Sequence, residues 1–213
     1  MQAVISRWKN LKLSTVTSFI FATNSIEMKL KRTVLLSFGL LILSASLYRV
    51  WDGRPWGFAP QIAMAVFAGA VIKDKKWAFI VPLLSMFLSD ALYQILYINH
   101  LSETQGFYGG QIINYILFTS LTAFGFLIKK INWLNVLAVS FAAPTAYFLI
   151  SNFLVWIGGG GYHHAKTFNG LMLCYNDGLP FYRGSLEATA LFSVIFFSTY
   201  VLMQRSTSTK QIA

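Results

Sequence analysis

Asp90 is the residue whose chemistry most needs an explanation. It is the only charge in WAFIVPLLSMFLSDALYQILYI, residues 77–98. At about 1.5 Å per residue, a helix of that length spans a hydrocarbon core of about 30 Å. A bare carboxylate there costs about 2.5–3.5 kcal/mol on insertion scales, so it should face protein or a water-filled cavity. Helical spacing agrees. Ser89, Asp90, Tyr93, Gln94 and Tyr97 share one face, and Leu84, Phe87, Leu88, Ala91, Leu92 and Ile95 fill the other. One acid with no partner on its own stretch has two uses: a hydrogen bond between helices, or a charge offered to a ligand.

The other reactive side chains are less telling. His163, His164, Cys174 and Asp177 lie close in sequence. Adjacent histidines point apart on most backbones and no second pair has ligand spacing, so no metal site is assigned. Cys174 has no base placed by sequence, so no thiol nucleophile is assigned. Gly158–Gly161 lacks the Lys-Ser/Thr of a phosphate loop and reads as a flexible connection. Glu187 suits a helix N-terminus. No catalytic residue and no cofactor are expected.

The elements that must position Asp90 are apolar. The chain is 56% hydrophobic and 16% aromatic but only 11% charged, with mean hydropathy +0.58. A soluble domain carries about 25% charged residues, so the expectation is an all-α membrane bundle. The net charge of +10 raises nucleic acid as a partner. The basic residues sit in short clusters between apolar runs, which argues against nucleic acid and for a membrane.

Six spans are expected, at residues 33–51, 58–72, 77–98, 111–128, 134–156 and 185–203. They make one domain, 33–203. Residues 1–32 read as an N-terminal cytoplasmic extension, and those before Met28 as an upstream-start addition or an amphipathic surface segment. Residues 204–213 read as a cytoplasmic tail. Pro144 should kink the fifth span. Small pairs in the second, Ala59/Ala63 and Ala65/Gly69, permit close helix contact. With the N-terminus inside, the extension, 73–76, Lys129, Lys130, Arg205 and Lys210 place their charges on one side. Only Arg54, Lys166 and Arg183 fall on the other, with Arg49 at its edge as an interfacial anchor beside Trp51. That bias puts both termini in the cytoplasm of a multi-pass protein of a bacterial inner membrane.

This topology gathers the polar groups. Asp90 lies roughly 20 Å from the inner edge, with Tyr93 and Gln94 above it. Gln111, Asn114, Phe118 and Thr122 form one stripe, and Thr145, Phe148, Asn152 and Trp156 another. An outward pocket follows, lined by Asp90, Tyr93, Gln94, Asn114, Asn152 and Trp156, with its mouth at Trp56 and Tyr175. One acid, amides and rings suit a small, planar, neutral or cationic ligand, with Asp90 pairing a positive group. Plainer roles compete: the asparagines as interhelical bonds, the aromatics as an interfacial belt. Residues 158–184 read as an outer loop whose aromatics, Tyr162, Phe168, Tyr175, Phe181 and Tyr182, pack down as a cap.

The segments RPWGFAPQIAMAVFAGAVI, WAFIVPLLSMFLSDALY, SNFLVWIGGGGY and CYNDGLPFYRGSL resemble a family of uncharacterised bacterial integral membrane proteins. That family is similar to the substrate-binding S components of energy-coupling factor (ECF) transporters. The resemblance implies six spans, a small micronutrient bound from outside, and partners in the form of a coupling subunit and two ATPases. One departure is that residues 33–51 lack the Ala-x-x-x-Ala docking motif of such components. The alternatives are an assembly subunit of an envelope complex and a membrane enzyme acting on a lipid.

Overall fold

The structure is a computed structural model that describes residues 39–209, with side chains from 39 to 204. The expected extension, the start of the first span and the end of the tail lie outside the described residues. The unit considered below is Ile42–Ala213; Gly39–Leu41 belong to a separate unit. Every regular element among the described residues is a helix. They are α1 (Gly39–Val50), α2 (Gln61–Val71), α3 (Lys75–Ile98), α4 (Gln111–Ser120), α5 (Thr122–Gly125), α6 (Trp133–Gly158) and α7 (Phe168–Thr209). Three of them, α3, α6 and α7, are long and apolar enough to cross a membrane, which marks the chain as a membrane protein.

The helix ends are written in local chemistry. Asp74 precedes α3, and its carboxylate accepts from the Lys76 amide at 2.9 Å. Asn132 does the same for α6, accepting from the Asn135 amide at 2.8 Å. Each supplies an acceptor to a first-turn N–H that has none within the helix. Helix α6 runs through Pro144 and stops at the glycines. Gly159 takes left-handed backbone (φ 74), and the Gly160 amide returns to the Val155 carbonyl at 2.9 Å. The glycine run is thus a helix stop as well as a connection.

The centre of the bundle is α2, not α3. All residues from Gln61 to Gly69 are buried, and α2 touches each of α3 to α7. Its small residues allow this. A Cβ on Gly69 would sit 2.1 Å from the Thr122 carbonyl oxygen, and one on Gly125 2.2 Å from that of Val66. Backbones of α2 and α5 therefore meet directly. The expected fourth span is divided at this contact. Leu121, Phe124, Phe126, Leu127 and Ile128 donate their amides to carbonyls three residues back, so α4 gives way to tighter, 3₁₀-type turns. Helix α3 keeps the two faces read from its sequence: Ser89, Asp90 and Tyr93 are buried, while Leu84, Phe87 and Ile95 are exposed.

The largest departure is α7. The expected outer loop, 158–184, is a loop only up to Thr167; from Phe168 the chain is helical through Thr209. At about 1.5 Å per residue its 42 residues reach about 63 Å, twice a hydrocarbon core. Gly170, Gly178, Pro180 and Gly184 argue for a loop by propensity. Packing overrides that preference, because the glycines are contact points. A Cβ on Gly184 would lie 2.0 Å from the Trp56 carbonyl oxygen, and one on Gly178 2.5 Å from Asn152 Oδ1. Glu187 consequently lies inside a helix, not at its start, where it accepts from Arg183 Nε at 2.9 Å on the surface. Of the five aromatics expected to pack down, Tyr162, Phe168 and Phe181 are exposed.

Candidate functional site

Asp90 is 2% exposed and fully engaged. Oδ1 accepts from Arg49 Nη1 in an ion pair. Oδ2 accepts from Gln111 Nε2 at 2.6 Å and from the Tyr115 hydroxyl at 2.7 Å. Three helices thus meet at one carboxylate. Burial of a charge is tolerable when it is paired and hydrogen-bonded, and both conditions hold. Arg49 Nη1 also donates to Ser89 Oγ, and the Tyr93 hydroxyl donates to the Arg49 carbonyl at 2.7 Å. The expectation that Asp90 awaits a ligand's positive group is corrected here, since Arg49 already supplies that charge. Arg49 is likewise not an interfacial anchor; it turns inward from the last turn of α1.

Beside this network lies a cavity of about 940 Å³, bounded by the 51–59 segment, α3, α4, α6 and α7. That volume lies within the range of small-molecule sites, about 300–1,000 Å³. Of the expected site residues, Tyr93, Asn114, Asn152 and Trp56 line it. Asn114 is held by two phenols: its Nδ2 donates to Tyr108 and its Oδ1 accepts from Tyr147, both at 3.0 Å. Asn152 Nδ2 donates back to the Phe148 carbonyl at 2.8 Å. Trp56 is stacked on Phe181, centroids 5.5 Å apart. The segment carrying Trp56 is fastened to α7: a Cβ on Gly57 (φ 72) would lie 2.1 Å from the Phe181 carbonyl oxygen, and Ser185 Oγ donates to the Gly57 carbonyl at 3.2 Å.

The other four expected residues stand outside the cavity wall. Asp90 is behind it, as described. Gln94 Oε1 accepts from the Phe107 amide at 3.2 Å, which fixes the α3–α4 connection. Trp156 Nε1 donates to the Ala165 carbonyl at 3.0 Å, holding the 159–167 loop. The Tyr175 hydroxyl donates to the Leu149 carbonyl at 3.1 Å, joining α7 to α6. His164 Nε2 meets Asp177 Oδ2 at 2.5 Å, a further tie between that loop and α7. Sequence reasoning left Arg49, Arg54, Tyr108 and Tyr147 out of the site. For Arg49 a signal existed, because it shares a face with Ser46, whose Oγ donates to the Ser85 carbonyl of α3 at 3.0 Å. Arg54 sits in an irregular segment, and its sequence placed it only on the outer side, near the rim.

The comparisons with known proteins bear on this arrangement as a whole. The profile of a family of unknown function, DUF6580, matches residues 28–211, which include every helix described above. The chain belongs to the DUF6580 family. The match embraces both the Arg49–Asp90 network and the cavity, so the DUF6580 region carries the entire candidate site. No curated protein and no solved structure matches the chain.

Proposed function

We propose that this protein is a substrate-capture subunit of a micronutrient importer, similar to the S components of ECF transporters, taking a small ligand from the outer side of a bacterial inner membrane. The supporting observation is the aromatic and amide-lined cavity of about 940 Å³ beside a buried, charge-compensated helix junction. On this reading the chain crosses the membrane six times with both termini in the cytoplasm, α4 and α5 forming one crossing in series. The cavity then opens outward, because α3 ends and α4 begins at it. The sequence carries no phosphate-binding loop, so energy comes from partner ATPases through a coupling subunit.

Labelling tests the reading. In a Cys174→Ser background, Ser151→Cys places the only thiol on the cavity wall. A membrane-impermeant maleimide added to intact spheroplasts should modify it. Modification only in inside-out vesicles would overturn outward capture.

A second reading, an assembly subunit of an envelope complex, is favoured by one observation. The loop before α7 and the first half of α7 expose Tyr162, Phe168 and Phe181. Exposed rings suit a protein partner. Cross-linking from these positions distinguishes the two: a constitutive neighbour captured at Phe168 favours assembly.

A further inference from the structure

The cavity wall carries three charged residues: Arg49, Arg54 and Asp52. The carboxylate that pairs Arg49, Asp90, lies behind the wall. Arg54 has no such partner. The ion pairs among the described residues are Arg49–Asp90, His164–Asp177 and Arg183–Glu187. Arg54 is instead held by two neutral oxygens. Its Nε donates to the Arg49 carbonyl at 2.6 Å and its Nη2 to the Tyr93 hydroxyl at 3.2 Å. A guanidinium has five N–H donors in a fixed fork, so most of this one remains to be used. Two contacts fix its plane before any ligand arrives, which lowers the ordering cost of binding.

The neutral polar groups of the wall have less to offer. Asn114 is committed to Tyr108 and Tyr147, and the Asn152 amide nitrogen to Phe148. Tyr93 sits beside Arg54, and the same cavity is lined by further rings: Phe118 packed on Tyr147 with centroids 4.5 Å apart, and Phe148 stacked on Tyr182 at 4.5 Å. We infer that the cavity selects a small planar carboxylate, its anionic group forked by Arg54 and its body laid among these rings. This inference builds on the capture reading and reverses the ligand charge that Asp90 suggests in the sequence. Arg–carboxylate pairing is bidentate and charge-assisted, which makes it the most discriminating contact the wall can offer.

The test uses the full chain in phosphatidylcholine nanodiscs and a charge-matched series, 2-naphthoate, 2-naphthamide and 2-naphthylmethylamine, titrated by calorimetry. Naphthoate should bind about tenfold or more tighter than the other two. Arg54→Gln should remove that margin and leave the amide unchanged, and Arg54→Lys should restore part of it. Asp52→Asn, at an exposed position, should tighten naphthoate further and guards against misfolding of the Arg54 variants. Equal binding of all three probes, or an anion preference that survives Arg54→Gln, overturns the carboxylate assignment and leaves the capture reading standing. Binding of none overturns both. Loss of naphthoate binding when phosphatidylglycerol is added would give Arg54 to a lipid phosphate and also overturn the assignment.

Discussion

Arg49, in the last turn of α1, and Asp90, in the second half of α3, form a buried ion pair. The acid's side chain is 3% exposed and the arginine's 18%. Such a pair contributes little over an apolar pair of similar shape, but removing one partner strands a buried charge and costs about 3–5 kcal/mol. Asp90→Leu should therefore lower the melting temperature in detergent sharply. Arg49→Met with Asp90→Leu should recover much of the loss. A double variant as unstable as the single one would show that the pair is not the source of the effect.

Two helix glycines, Gly184 in α7 and Gly158 at the end of α6, should divide by what a methyl group would meet. Gly184→Ala drives a Cβ onto the Trp56 carbonyl, and the shift it forces should cost about 1–3 kcal/mol. Gly158→Ala meets nothing within 4 Å and should melt with the parent. Equal melting of the two variants would contradict the close approach of α7 to the 51–59 segment.

Much of this fold is readable from the sequence, and the failures have physical causes. The two faces of α3 and the starts of α4 and α6, the latter to within a residue, follow from apolar spacing. The extent of α7 does not follow, because Gly178 and Gly184 weaken a helix by propensity and strengthen it only through neighbours far away in sequence. Asp90 was legible as buried and bonded. Gln111 and Tyr115 of α4 supply the bond between helices expected of it, but its ion-pair partner was not legible, since an arginine at a helix end reads equally as a membrane anchor. Half of the expected site lines the cavity. Gln94, Trp156 and Tyr175 share faces with the lining residues, but their side chains reach connecting loops or a neighbouring helix instead. Helical periodicity cannot make that distinction.

The proposed six-span topology sets the side of every loop. Reporter fusions after Lys73 and Lys130 should read cytoplasmic, and fusions near Glu103 and Lys166 should read external. One reversed loop would place the cavity on the wrong side for capture.

The central claim is that the cavity holds a small molecule. Native mass spectrometry of the purified full-length protein tests it most directly, with Ser151→Trp as the control that puts an indole into the cavity. The parent protein should carry one small, non-lipid adduct per chain. The Ser151→Trp variant should lack it while melting at a similar temperature. A parent protein without an adduct, or an adduct that the Ser151→Trp variant carries undiminished, would contradict the account.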